Sequence, residues 1–177
     1  MALDELSERT QAPVAPSALK AGLVIGLVSI VFSVIMYFTG NATNSAAGWL
    51  SVPITGYLVY FFQKKFRDKL QNGYIKYGKA FGFGVVACVV SSILSGAYVY
   101  VLYTMDPSLK DQALEQTYND MIERGMSEGQ IEQSLEMAEM FMTPSAMLMM
   151  VLFMGLLFGV IVSLITSAIV KKDHPLD

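Results

Sequence analysis

The sequence predicts an all-α membrane protein with four transmembrane helices. Both termini are expected to be cytoplasmic, with an extracytoplasmic amphipathic helical hairpin between spans three and four. Three observations lead there. The 177 residues are 54% hydrophobic and only 15% charged, against about 25% charged in an ordinary soluble domain, and the mean hydropathy is +0.48. Four stretches are apolar for long enough to cross a hydrocarbon core of about 30 Å, which takes roughly 20 helical residues. Finally, ten of the 12 Lys and Arg residues fall on one side of the arrangement that those stretches define.

Residues 1–16 form an N-terminal cytoplasmic tail ahead of a membrane domain over 17–170. The first span, 21–38, reads "AGLVIGLVSIVFSVIMYF" and carries no charge. Ser17, after Pro16, is the expected N-cap, and Lys20 can carry its ammonium to the interface. The run is longer than the roughly 7–15 apolar residues of a secretory leader, and Asp4, Glu5 and Glu8 precede it. It therefore reads as a retained span. The second span, 46–62, is the shortest and contains Pro53, which predicts a kink whose freed carbonyl neighbouring helices must satisfy. Spans three and four, 80–103 and 145–170, are long enough to tilt or protrude. The single cysteine, Cys88, and the single histidine, His174, exclude an intrachain disulfide, a C-x-x-C motif and a Cys/His zinc site.

Orientation follows from the cations. Arg9 and Lys20 precede span one. The loop 63–79 holds Lys64, Lys65, Arg67, Lys69, Lys76 and Lys79, and the tail 171–177 holds Lys171 and Lys172. The opposite side has only Lys110 and Arg124. Loop 63–79 is thus cytoplasmic and in position to hold topology and attract anionic lipid. Phe66, Leu70 and Tyr74 at fourfold spacing predict an interfacial helix there. Tyr74 and Tyr77 among the lysines also fit a nucleic-acid reading, but placement between two spans favours lipid and no nucleic acid.

The outer segment 104–143 has nine carboxylates against Lys110 and Arg124, yet its apolar residues keep helical spacing. Asp106-Pro107 reads as N-cap and proline at N1. Leu109, Leu114, Tyr118, Met121 and Ile122 mark one face, and Gly125 stops the helix. Ser127 and Gln130 form a capping box for a second helix, with Ile131, Leu135, Ala138 and Met142 on one face. Glu128, Glu132, Glu136 and Glu139 lie on the other. Thr143-Pro144 opens span four. Carboxylates at fourfold spacing, without a D-x-D-x-D-G loop, read as a solvated face and not as a calcium site.

The stretches "ALKAGLVIGLVSIVFSVIMYFTG", "KYGKAFGFG", "DPSLKDQALEQTYNDMIERGMSEGQIEQ" and "FMTP" through the final "KK" carry a resemblance. Over about residues 18 to 174 the chain resembles a bacterial four-span inner-membrane family, a domain-of-unknown-function family numbered four-one-nine-nine. The resemblance implies a four-span topology in a bacterial inner membrane. It implies no activity, cofactor or catalytic residue.

No Asp, Glu, Lys, Arg or His lies within the four apolar spans. That weighs against proton-coupled transport and voltage sensing, which place ionisable groups at depth. The motifs of intramembrane hydrolysis are absent as well. Small residues recur at fourfold spacing: Gly22 and Gly26, Gly78 and Gly82, Ser92 and Gly96, Gly155 and Gly159, Ser163 and Ser167. This spacing suits close helix packing, within one bundle or in a homo-oligomer. Tyr37, Trp49, Tyr98, Tyr100 and Tyr103 fit one interfacial belt, and Tyr57, Tyr60, Tyr74 and Tyr77 the other.

Residues 137–154, "MAEMFMTPSAMLMMVLFM", hold seven methionines. Thioethers suit Cu(I), with Met137 and Met140 the nearest pair. Adaptable packing is the stronger reading, since on a straight helix Met140, Met147, Met150 and Met154 share one face. No cofactor or metal is expected. The expected function is that of a non-enzymatic structural or accessory protein, using its outer hairpin to contact a membrane or periplasmic protein, or the membrane surface. The alternative is a passive channel or small-molecule permease lined by Ser91, Ser92, Ser95, Ser163, Thr166 and Ser167.

Overall fold

The computed structural model describes residues 12–43 and 45–173. Asp4, Glu5, Glu8, Arg9 and His174 therefore lie outside the described residues. Six helices follow in order: α1 (Val14–Phe38), α2 (Ser45–Leu70), α3 (Tyr77–Met105), α4 (Ser108–Glu123), α5 (Glu128–Phe141) and α6 (Pro144–Val170). Helix α3 is central, packed along α1 on one side and α6 on the other, while α2 touches all three over shorter stretches. Helices α4 and α5 pair with each other.

Helices α1, α3 and α6 are long and apolar enough to cross a membrane. Their surfaces fit that solvent. Leu27, Val31, Ile35, Phe153, Ile161, Ile165 and Ile169 point outward, whereas the buried core is rich in small residues such as Ala18, Ala21, Ala80 and Ala87. Lipid tails are as apolar as leucine, so close approach of small residues, not burial of large ones, holds such helices together. Helix α2 differs. Its 26 residues would reach about 39 Å, but Pro53, Tyr57, Tyr60, Gln63 and the terminal cations dilute its apolar content, and it does not join the three.

Two local expectations are corrected. Helix α1 starts at Val14, ahead of the predicted cap Ser17, with extended Pro13 in the cap position and no side-chain cap. Pro16 then falls in the first turn, where a missing N–H breaks no helical bond. The predicted interfacial helix around Phe66 does not form separately: α2 runs unbroken through Pro53 and on to Leu70. Phe66 is buried and stacks on Phe83 with ring centroids 4.8 Å apart. Left-handed Asn72 (φ 54) and Gly73 (φ 84) turn the chain after α2, and Arg67 and Lys69 complement the helix dipole there.

The basic end of the bundle is bolted by polar contacts. Ile75 and Lys172 exchange two backbone hydrogen bonds of 2.9 and 3.1 Å. Arg67 Nη1 donates to the Val170 carbonyl at 3.0 Å, satisfying an acceptor at the end of α6 that the helix itself leaves open.

The hairpin segment follows its sequence signals with one correction: α4 begins at Ser108, with Pro107 and not Asp106 in the cap position. Asp106 Oδ1 accepts the Ser108 backbone N–H at 3.2 Å, and Gly125 turns the chain at φ +72. Gln130 Oε1 accepts the Ser127 N–H at 3.2 Å, the return half of the capping box. Thr143 Oγ1 accepts the Ala146 N–H at 3.2 Å, with Pro144 at N1.

Candidate functional site

The small residues set the geometry of the interior. On α3, Gly84, Cys88, Ser92 and Gly96 recur every fourth residue and face α6 in antiparallel order. A Cβ at Gly84 would strike Ser163 and Gln63, one at Gly155 would strike Ser92, and one at Gly159 would lie 2.6 Å from Cys88 Cβ. A Cβ at Gly96 would come within 2.8 Å of Leu148 Cδ1. On the other side of α3, a Cβ at Gly22 would lie 2.5 Å from the Ala87 carbonyl oxygen and one at Gly26 3.1 Å from Leu94 Cβ. Gly78 and Gly82 depart from the expected packing role, because a Cβ at either meets nothing within 4 Å. The pattern on α3 extends back from Ser92 to Gly84, and Gly82 lies two residues, or about 200°, off that row.

Where the four long helices do not touch, they enclose a cavity of about 360 Å³. Its polar lining is almost entirely hydroxyl: Ser29 and Ser33 from α1, Ser51 and Thr55 from α2, and Ser91, Ser92 and Ser95 from α3. Ser29 donates to the Ile25 carbonyl at 3.0 Å and Ser92 to the Cys88 carbonyl at 2.9 Å. Both hydroxyls thus spend their proton on their own helix and offer lone pairs to the cavity. Among the described residues no carboxylate, ammonium, guanidinium or imidazole lines it. Such a lining suits a small, neutral, hydrogen-bonding solute. It holds no base to activate a serine.

A second cavity, about 450 Å³, meets the first at Phe32, Ser33, Ser51 and Val99. Its roof comes from α4 through Leu109, Ala113, Gln116, Thr117 and Asp120. Helix α4 is held at its N-terminal end. Tyr37 Oη donates to Asp106 Oδ2 at 2.8 Å, and Lys110 Nζ pairs with Glu139 Oε1 on α5 at 2.6 Å. Hydrogen bonds from Ser108 and then Tyr37 hold the Asp106 carboxyl below the usual carboxylate range, and Lys110 does the same for Glu139.

Toward the basic end, Gln63, which its neighbouring cations assign to the basic loop, is wholly buried. Its Nε2 donates to the Ala80 carbonyl at 3.0 Å and to Ser167 Oγ at 3.1 Å, joining α2, α3 and α6. Gln63 Oε1 and Ser163 Oγ are buried without a hydrogen-bond partner. The signal was Gln63 in register with Val59 and Phe66, all three buried on one face of α2.

The basic residues divide by role. Arg67 works inside the fold. Lys64 lies 6.0 Å from the Tyr60 ring and Lys172 5.2 Å from that of Tyr74. Lys171 pairs with Asp173 at 3.3 Å. Lys76 precedes α3 and Lys79 stands in its first turn. Lys65 and Lys69 face a groove against α1.

Among the described residues no three His, Cys, Asp or Glu groups gather as metal ligands. The methionine stripe is split. Helix α5 ends at Phe141 and α6 begins at Pro144, so Met140 does not continue the row of Met147, Met150 and Met154. Met147 and Met154 line the two cavities, and Met140 is 73% exposed.

A family model for proteins of unknown function, DUF4199, matches residues 20–172. No curated protein and no solved structure matches the chain. With most of its length covered, the chain belongs to the DUF4199 family.

Proposed function

We propose that this DUF4199 protein is a non-enzymatic, multi-pass protein of a bacterial inner membrane whose α4–α5 hairpin contacts another protein outside the cytoplasm. In this reading α2 is the fourth span and both termini are cytoplasmic, as the lysine and arginine distribution directs. The observation that carries the proposal is the hairpin's half-covered apolar stripe. Leu109 and Ile131 are buried, but Tyr118 is 44% and Ile122 49% exposed. An apolar patch of this kind rimmed by polar groups marks an interaction surface. The net charge of the segment, with nine carboxylates and two cations, is repelled by anionic lipid, which favours a protein over the membrane surface as the occupant.

Photocrosslinking from position 118 in native membranes tests this. A discrete adduct with one protein, lost on Ile122→Glu, is expected. Adducts with lipid alone, or an adduct that Ile122→Glu leaves unchanged, would refute the proposal.

The hydroxyl-lined cavity favours a second reading, a binding or permeation site for a small neutral solute. On this reading, purified protein in liposomes is expected to pass small neutral polyols from a panel. No flux across the panel ends the permease reading.

A further inference from the structure

We propose that the groove between the start of α1 and the end of α2 is a site for one anionic phospholipid molecule. The site is separate from the hairpin and from the hydroxyl cavity. The groove measures about 520 Å³ and carries Lys20 on the α1 wall and Lys65 and Lys69 on the α2 wall. Among the described residues no acidic side chain lines it, and these three lysines are exposed at the surface. The described walls thus concentrate positive charge there.

The order of residues along each wall specifies an amphiphile. From Lys20, one helical turn toward the bundle centre reaches Val24. From Lys69, the α2 wall runs through Lys65 to Phe62, and buried Phe66 and Phe83 form the floor. Both walls thus change from cationic to apolar in the same direction. A phosphate headgroup fits the lysine end and an acyl chain the slot along Val24 and Phe62, the arrangement of basic pockets between membrane helices that hold anionic lipid.

Two further features favour an anion at this end. The first turn of α1 contains no acidic residue and its cap position no capping side chain, so the positive end of its dipole lies uncompensated by α1 itself beside the groove residues Pro13 and Pro16. The groove is also preformed. The Ala12 N–H donates to the Leu70 carbonyl at 3.2 Å, and Gln71 Nε2 donates to the Ala12 carbonyl at 2.8 Å. These bonds tie the first residues of the α1 wall to the last of the α2 wall. Lys64, Lys171 and Lys172 share the basic end but lie outside the groove, which provides an internal control.

The test is native mass spectrometry of the full-length protein released from nanodiscs, titrated with phosphatidylglycerol or phosphatidylcholine. One retained phosphatidylglycerol, preferred over phosphatidylcholine, is expected. The combined Lys20→Gln, Lys65→Gln, Lys69→Gln variant should weaken it at least about tenfold. The control Lys64→Gln, Lys171→Gln, Lys172→Gln should retain it, as should replacement of the three groove lysines by arginine. Val24→Trp, which fills the slot and leaves the charges, should also reduce retention. Equal loss in the two glutamine triples would show diffuse attraction and overturn the site. So would competition by glycerol phosphate, which lacks an acyl chain.

Discussion

Replacing Gly22 by leucine is expected to separate α1 from α3 and to cost the folded protein on the order of 3 kcal/mol or more. Even alanine would place its Cβ 2.5 Å from the Ala87 carbonyl oxygen and 2.7 Å from Val90 Cβ. The first of these is backbone, which cannot swing aside as a side-chain end can. Relief requires the helices to move apart, and with them goes the dispersion contact of the whole seam, which in lipid has no hydrophobic substitute. Gly159→Leu should behave alike, since its Cβ would lie 2.6 Å from that of Cys88. Gly78→Ala and Gly82→Ala serve as controls, with open space around each; they should stay within about 0.5 kcal/mol of the parent. Reversible unfolding in mixed micelles measures all four. Equal losses at all four glycines would show that the seam does not discriminate.

The second large effect is expected at Gln63. Gln63→Ala removes a fully buried side chain that links three helices through the Ala80 carbonyl and Ser167. The lost bonds and packing together should cost about 2–4 kcal/mol. Gln63→Met keeps most of the volume and discards the unpartnered Oε1 along with both bonds, so about 1 kcal/mol is expected. Ser163→Ala removes the other unpartnered hydroxyl and should be neutral or slightly stabilising. The order of the two Gln63 variants in the same unfolding assay is decisive: methionine as damaging as alanine would mean that the hydrogen bonds, not the fill, hold α2 in place.

Much of this architecture was legible in the sequence because it rests on local signals. Gly125, Ser127 with Gln130 and Thr143-Pro144 each act within a few residues, and each does in the structure what its chemistry predicts; Asp106-Pro107 marks the start of α4 to within one residue. The apolar runs likewise locate α1, α3 and α6 without reference to their neighbours. The sequence reading failed where a residue's role depends on the helix opposite. Gln63 and Phe66 read as part of a basic loop, since Lys64, Lys65 and Arg67 surround them. Only the arrival of Phe83 and Ser167 from distant parts of the chain makes that face of α2 interior. The same dependence makes Gly84, and not Gly82, the packing residue: fourfold spacing occurs on every side of a helix, and the side that counts is the one α6 occupies. Cys88, weighed for its thiol chemistry, contributes a small side chain opposite Gly159.

The row Gly84, Cys88, Ser92, Gly96 has a consequence for how the bundle keeps its register. A track that repeats every fourth residue presents nearly the same profile after a slide of one step, about 6 Å. Such a track guides two helices together without stating where they should stop. The stop is supplied at the basic end, where Ile75 clasps Lys172 and Arg67 holds the Val170 carbonyl. The row works as a rail, and those few polar contacts are its detent.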